Sequence, residues 1–192
     1  MQPSIIYVVG ASGSGKDTLI NYARKQLAAH PNICFAHRYI TRVADAGGEN
    51  HVALTPEEFM AREQAGLFAM HWSSHGLHYG IGLELNQWLS QGMVVVINGS
   101  RSYLTHARQR YPNLLALGVE VGVEVLRQRL SARAREDATA IEQRLARHQQ
   151  MMQHTKNHPD SLDVIIHNHG TIDEAGETLI QLILSQIRAA TT

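Results

Sequence analysis

The sequence contains one cysteine in 192 residues and lacks any apolar run near the roughly 20 residues that span a bilayer. A single thiol, Cys34, forms no internal disulfide, which favours a reducing compartment. The N-terminal apolar stretch at residues 5–9 is too short for the hydrophobic part of a secretory signal and has no basic flank. These absences predict a cytoplasmic protein that does not enter a membrane.

Net charge is also lacking, because 17 Lys and Arg residues balance 17 Asp and Glu residues. Such a balance favours neither a nucleic-acid partner nor an anionic membrane surface, so any anion site must come from local clustering. The 12 histidines stand without an H-E-x-x-H motif and without Cys or carboxylate at ligand spacing. We interpret His71, His75 and His78, and likewise His167 and His169, as surface or loop residues.

Apolar runs and helical patterns alternate along the chain, which predicts an α/β fold with a parallel sheet flanked by helices. Strands are expected at residues 4–9, 93–98, 114–121 and 163–168, with a helix at residues 16–29 after the first. Thr55, Pro56 and Glu58 form a helix start, and so do Thr171 and Glu174. After a strand that begins at Ile33, residues 37–51 are interpreted as a polar loop.

Two polar, arginine-bearing segments interrupt this pattern, at about residues 37–85 and 127–147. We therefore expect a single domain over residues 1–192. Its core comprises residues 1–36, 86–126 and 148–192, the first excursion is an acceptor-binding subdomain, and the second is an arginine-rich lid.

The stretch "GASGSGKDT" at residues 10–18 follows a strand and precedes a helix, which is the context of a phosphate-binding P-loop. Glycine permits the tight turn that directs backbone N–H groups at phosphate oxygens, and Lys16 would reach the β- and γ-phosphates. A chance glycine-rich turn is the alternative. The residues predicted to bind the nucleotide here are Gly10, Ala11, Ser12, Gly13, Ser14, Gly15, Lys16, Asp17 and Thr18.

Asp17 departs from the usual pattern, in which Ser or Thr follows the lysine and holds Mg²⁺. An acid in the first turn of a helix is favourable through the helix dipole alone. Beside a triphosphate, however, a carboxylate needs a cation, so we predict that Asp17 binds Mg²⁺ directly or through water. Many P-loop proteins end the strand at residues 93–98 with an acid, whereas this chain has Asn98. We therefore expect the metal-facing carboxylate to have moved to the loop.

Six arginines lie between residues 127 and 147. One interpretation is a solvated pair of amphipathic helices with Leu126, Leu130, Ile141 and Leu145 inward. The other is a lid whose guanidinium groups cover the transferred phosphoryl group and exclude water. For the second we predict catalytic roles for Arg133 and Arg144, with Arg129 and Arg135 as further candidates.

The first excursion carries Arg38 and Arg42, whose guanidinium groups suit bidentate phosphate binding. Surface salt bridges are the alternative for each arginine. Tyr79, Asn98 and Arg101 are further candidates for binding the acceptor. No general base is evident, and none is needed if the nucleophile is already an ionised phosphate oxygen. The pattern therefore indicates a kinase that extends a phosphate to a diphosphate.

Taken together, "GASGSGK", "ITR", "GGEN", "YG", the Arg129–Leu145 pattern and "VIIHN" resemble the guanylate-kinase-like branch of P-loop kinases over essentially the whole chain. The residues that read guanine in that branch are not present: Met70 stands for a glutamate, His51 lies near the position of a tyrosine, and Ile81 stands for Ser or Thr. "GKDT", "AHRYITR", "GGENH", "YGIG" and "INGSR" are instead similar to the ribose 1,5-bisphosphate phosphokinase family of bacterial phosphonate breakdown.

That resemblance implies ATP- and Mg²⁺-dependent conversion of ribose 1,5-bisphosphate to 5-phospho-α-D-ribose 1-diphosphate. It also implies that Arg38, Arg42 and Arg101 hold the acceptor's phosphates and that Asn168, at the end of the last strand, lies where relatives bind adenine. The alternatives are a nucleoside-monophosphate kinase and a non-catalytic binding module of the same fold. The partners expected are ATP and a small molecule.

Overall fold

The computed structural model describes residues 4–44, 49–132, 138–157 and 162–189, and the elements in these ranges form two sheets with flanking helices. The strands are β1 (Ser4–Gly10), β2 (Ile33–Phe35), β3 (Tyr39–Ile40), β4 (Val52–Ala53), β5 (Phe68–Ser74), β6 (Leu77–Gly82), β7 (Val94–Asn98), β8 (Leu115–Glu120) and β9 (Val164–His167). The helices are α1 (Lys16–Gln26), α2 (Pro56–Gln64), α3 (Glu84–Ser90), α4 (Leu104–Arg110), α5 (Val123–Ala132), α6 (Ala138–Asn157) and α7 (Ile172–Ala189), with a 3₁₀ turn at Arg101–Tyr103.

The larger sheet is parallel and has the strand order β2-β7-β1-β8-β9. Residues of β1 alternate between two cores: Ile6 and Val8 pack with α1 and α7, whereas Tyr7 packs with α3 and α4. The predicted parallel sheet flanked by helices is confirmed. Val8 lies opposite Asn98 in the register, so the loop after β1 and the end of β7 meet at one sheet edge.

The smaller sheet has the order β4-β3-β6-β5, with β5 and β6 forming an antiparallel hairpin. The prediction of a polar loop over residues 37–51 was wrong for Tyr39–Ile40, which forms β3. These two residues pair with Gly80 and Tyr79 of β6, about 40 positions along the chain. A pairing over that separation leaves no local pattern in the sequence.

Two predicted helix starts are confirmed by their hydrogen bonds. Thr55 Oγ1 accepts from the Glu58 N–H at 3.1 Å and caps α2. The Thr171 side chain accepts from the Glu174 N–H, while the Glu174 carboxylate accepts from the Thr171 N–H. α1 ends at Gln26, short of the predicted residue 29, because the chain turns there: the His30 N–H bonds to the Leu27 carbonyl at 3.0 Å.

The predicted inward face of the arginine-rich helix pair is also confirmed. Leu126 and Leu130 of α5 are buried against Ile141 and Leu145 of α6. None of the helices in the described ranges combines the length and the apolar character needed to cross a membrane.

Candidate active site

A cleft of about 890 Å³ begins at the loop between β1 and α1 and reaches the smaller sheet. Beyond the predicted set, it is also lined by Trp72, Ser100 and Arg147. The predicted site residues that line it are Gly10, Ala11, Ser12, Gly13, Gly15, Lys16, Asp17, Thr18, Arg38, Arg42, Tyr79 and Arg101. The structure therefore brings the nucleotide loop and the proposed acceptor arginines to one space.

The loop at residues 10–18 depends on glycine for its shape. Gly13 and Gly15 have φ values of 92° and 88°, in the left-handed region that other L-residues rarely adopt. A Cβ on Gly10 would lie 2.6 Å from Ser14 Oγ, and one on Gly15 would lie 2.3 Å from Asn168 Nδ2. α1 starts directly after Gly15, so its first backbone N–H groups, which have no partner within the helix, border the cleft.

Lys16 is held at the junction of the loop and β7. Its ammonium group donates to Asn98 Oδ1 and, at 3.1 Å, to Asp17 Oδ1. Burial lowers the pKa of Lys16, and the neighbouring Asp17 carboxylate opposes that shift. The positive charge therefore stands in a buried position at the base of the cleft, where a phosphate would stabilise it.

Asp17 and Asn98 are in direct contact. Asn98 Nδ2 donates to Asp17 Oδ1 at 2.8 Å, and the Asp17 side chain remains 53% exposed toward the cleft that it lines. Burial raises the pKa of the Asp17 carboxyl, but the Lys16 ammonium, the Arg38 guanidinium and the Asn98 hydrogen bond together outweigh that effect, and the pKa lies below its usual value. Asp17 is thus an anion next to the phosphate loop. Asn98 is itself buried and contacts the cleft through Lys16 and Asp17.

Glu49 was missed by the sequence analysis, although "GGEN" was noted. Its carboxylate accepts from Arg38 Nε at 2.5 Å, pairs a second time with Arg38, and lies 3.5 Å from Arg42 Nη2. Asn98 Nδ2 lies 3.3 Å from the same carboxylate. The signal in the sequence was an acid in the same segment as Arg38 and Arg42, two cations for which no partner had been assigned. Glu49 therefore holds Arg38 and Arg42, both predicted to bind the acceptor, in place.

Arg38 and Arg42 have further contacts that orient them. The Arg38 guanidinium lies over the Tyr79 ring, 4.9 Å from its centroid. Arg42 Nη2 lies 3.4 Å from His51 Nδ1, and His51 Nε2 lies 3.1 Å from the Arg42 carbonyl. The alternative considered from the sequence was a surface salt bridge for each arginine. Both do form an ion pair with Glu49, but Arg38 is buried and both arginines line the cleft.

The predicted residues of the nucleotide side divide between the cleft and a neighbouring cavity. A smaller cavity of about 190 Å³ is lined by Arg129 and Asn168. Asn168 Nδ2 donates to the Ser14 carbonyl at 2.7 Å, and Arg129 Nη2 donates to the Asn168 carbonyl at 3.1 Å. These bonds join helix α5 and the end of β9 to the phosphate loop.

Arg144 of α6 donates from Nη2 to Ser12 Oγ at 2.7 Å, so one predicted lid arginine meets the loop directly. Arg133 and Arg135 lie outside the described residues. Arg101 lines the cleft, and burial lowers its pKa while Glu120 opposes the shift. In the part of the chain that the structure describes, no group of three or more His, Cys, Asp or Glu side chains is placed to hold a metal ion.

Comparison with known proteins gives consistent results. The chain is 54% identical over 179 residues to ribose 1,5-bisphosphate phosphokinase of Thiobacillus denitrificans, covering 93% of this chain and 92% of that protein. It is 51% identical over 180 residues to the enzyme of that name from Desulfomicrobium baculatum (94% of each chain). It is 46% identical over 188 residues to the one from Pectobacterium parmentieri (97% and 96%).

Among solved structures, guanylate kinase from Anaplasma phagocytophilum superposes with a TM-score of 0.69 at 18% identity, covering 94% of this chain and 85% of that one. At this identity the likeness concerns the fold. No protein-family model matches the chain.

Proposed function

Since the chain belongs to the ribose 1,5-bisphosphate phosphokinase family, we propose that it transfers the γ-phosphoryl group of ATP to ribose 1,5-bisphosphate. The bond between the γ-phosphorus and the β,γ-bridging oxygen breaks, and a new bond forms from an oxygen of the acceptor's 1-phosphate. The products are ADP and 5-phospho-α-D-ribose 1-diphosphate. The observation that carries this proposal is the single cleft that joins Lys16 to Arg38 and Arg42.

The ion pairs made by Glu49 and Asp17 support a phosphate as the nucleophile. Glu49 is paired with Arg38 and Arg42, while Asp17 is paired with Lys16 and Asn98. A carboxylate held by cations in this way is a poor general base. A phosphate oxygen is already ionised at neutral pH and requires none, so the cations of the cleft suffice to bring the two anions together.

On the donor side, Lys16 and the N-terminus of α1 bind the phosphate tail, and Arg144 approaches the tail from the lid. Asn168 and Arg129 support the loop from behind, beside the cavity of about 190 Å³ that we assign to the adenine. Arg133 completes the lid in this proposal. Residues 127–147 act as the lid, and residues 37–85 form the acceptor-binding subdomain.

Mg²⁺ fits this site through Asp17, whose half-exposed carboxylate is a hard oxygen ligand beside the phosphate loop. When bound, Mg²⁺ neutralises part of the charge on the phosphates. On the acceptor side, Arg38, Arg42 and Arg101 bind the two phosphates of the sugar. The Tyr79 ring holds the Arg38 guanidinium through a cation–π contact. The Asn98 amide links the donor side to Glu49.

A coupled assay of ADP release, with ribose 1,5-bisphosphate and GMP as alternative acceptors, tests this function. We expect turnover with the sugar bisphosphate and at least a hundredfold lower kcat/KM with GMP, a ratio typical of a site whose polar groups match only one substrate. A preference for GMP would refute the proposal. Failure to bind ATP and Mg²⁺ in calorimetry would indicate a binding module without catalysis.

A further inference from the structure

Trp72 of β5 lines the main cleft, although its side chain is only 8% exposed. Its indole ring stacks with the Tyr79 ring at 5.7 Å between centroids and 4° between planes. It also stacks with the Tyr103 ring at 5.5 Å and 28°, and Tyr103 stacks in turn with His106. We call Tyr79, Trp72, Tyr103 and His106 the aromatic row.

Within the aromatic row, the Trp72 and Tyr79 rings stack on each other, so those two faces are not free to stack on a ligand. Proteins bind a planar base in a slot with apolar or aromatic walls, and a few polar groups read the edge of the base. Here Arg38 additionally covers the Tyr79 ring. The aromatic surface that could form the wall of such a slot is therefore already in contact with protein groups.

Two neighbours of Trp72 in the smaller sheet, Met70 and Ile81, offer no polar group that could read the edge of a base. Met70 and Ile81 are paired across β5 and β6, and both side chains are fully buried. The cleft lining near the row instead offers hydroxyl and cationic groups, from Ser74, Ser100 and Ser102 and from Arg38 and Arg101. That chemistry suits hydroxyl and phosphate groups of a sugar.

We propose that Trp72 determines acceptor specificity by occupying the volume that the base of a nucleoside monophosphate requires. The indole ring stacks on Tyr79 in place of a base, and the cleft then admits a phosphorylated sugar but excludes a nucleotide acceptor. This inference rests on the proposed function, because it concerns the acceptor part of the same cleft.

The test compares Trp72→Ala with Trp72→Phe, which retains a ring in the row. GMP and AMP are titrated by calorimetry into each protein, with the donor site saturated by a non-hydrolysable ATP analogue and Mg²⁺. We expect Trp72→Ala to bind at least one of the two monophosphates about tenfold or more tightly than the unmodified protein, as removal of a bulky group from a pocket allows. Trp72→Phe is expected to stay within about threefold. Trp88→Phe, at the chain's other tryptophan, is the matched control.

The proposal is overturned if folded Trp72→Ala binds both monophosphates no more tightly than the unmodified protein does. Thermal melting establishes that the variant is folded. Should Trp72→Ala not fold, Trp72→Val decides the question: it keeps a β-branched apolar side chain that suits a strand but removes most of the indole volume, and unchanged monophosphate affinity overturns the proposal. Turnover of ribose 1,5-bisphosphate by the unmodified protein is a separate measurement. Its absence would refute the proposed function, whereas the titration reports on Trp72 alone.

Discussion

Glu49 connects the two sides of the cleft at the level of single side chains. It pairs with Arg38 and Arg42, and it is joined through the Asn98 amide to Lys16 and Asp17. Asn98 has one acceptor and two donor hydrogens, and it uses the acceptor for the lysine and the donors for the two carboxylates. A carboxylate at position 98 would repel both acids, so a neutral amide is the suitable residue here.

Replacement of Glu49 by Gln is expected to weaken acceptor binding selectively. The amide keeps the shape of the side chain but loses the charge that holds the Arg38 and Arg42 guanidinium groups. Hydrogen bonds to charged groups contribute about 1.5–3 kcal/mol, so we expect the acceptor KM to rise about tenfold or more. The KM for ATP should remain within about twofold.

Steady-state kinetics with each substrate varied in turn measures this difference. Glu63→Gln is the control, because Glu63 forms an exposed pair with His71 at 3.1 Å and lies outside the cleft. An unchanged acceptor KM, or equal rises in both KM values, would contradict the positioning role of Glu49.

Replacement of Asp17 by Ser separates the two explanations of this acid. If Asp17 binds Mg²⁺, the Mg²⁺ concentration for half-maximal activity should rise several-fold and the relative activity with Mn²⁺ should change. If it acts only through the helix dipole, the variant should lose about 0.3–1 kcal/mol of stability, with the metal titration unchanged. Asp173→Asn is the matched control, since Asp173 lies in the first turn of α7.

At the level of elements, β1 positions more than the phosphate loop. The Tyr7 hydroxyl accepts from the Ser100 N–H at 2.9 Å and donates to the Ser100 carbonyl at 3.2 Å. A Cβ on Gly99 would lie 2.3 Å from the Tyr7 ring, so only glycine allows the backbone at position 99 to pass this close to the ring. Strand β1 thereby fixes the segment after β7, where Ser100, Arg101 and Ser102 line the cleft.

Tyr7→Phe should disturb this segment and leave the rest of β1 intact. The ring is retained, but the Ser100 N–H loses its partner, and an unsatisfied group of this kind costs about 1–3 kcal/mol. Burial raises the pKa of Tyr7, so the neutral hydroxyl is the form that makes these bonds. We expect a lower melting temperature and a several-fold higher acceptor KM, with the KM for ATP little changed.

Tyr22→Phe is the control for Tyr7→Phe, because the Tyr22 hydroxyl makes an exposed bond to Glu177 away from the cleft. Equal effects of the two substitutions on the acceptor KM would show that Tyr7 does not position the segment at residues 100–102 for acceptor binding.

At the scale of the whole molecule, the two sheets enclose one cleft, and ligand binding should stabilise the entire fold. A ligand present at 100 times its Kd adds about 2.7 kcal/mol. In a chain of this size, about 1 kcal/mol shifts the melting temperature by roughly 2–4 °C. ATP with Mg²⁺ should therefore raise the melting temperature by about 5–10 °C.

Lys16→Met should abolish most of that shift while the ligand-free protein still melts cooperatively, and it should reduce kcat at least a hundredfold. Differential scanning fluorimetry measures the shift. Lys25→Met is the control, since Lys25 is an exposed residue in the last turn of the same helix. A full shift in Lys16→Met would exclude Lys16 from nucleotide binding.

What could be predicted from the sequence was local. The strand, glycine loop and helix at residues 4–26 follow one another directly, and the Thr55 cap is set by a hydrogen bond three residues away. The predicted helix after the loop was three residues too long, and β3 was missed. Its two residues gain their strand geometry from Gly80 and Tyr79 in β6.

The sequence by itself determined the strand, glycine loop and helix at residues 4–26, the later strands of the parallel sheet and the helix start at Thr55, because short-range backbone geometry and apolar patterning specify them. Only the tertiary structure decided that Glu49 holds Arg38 and Arg42, that Asn98 meets a lysine 82 positions away, and that Trp72 stacks between two segments. Those contacts depend on how two sheets meet in space, and hydrophobic periodicity carries no information about that arrangement.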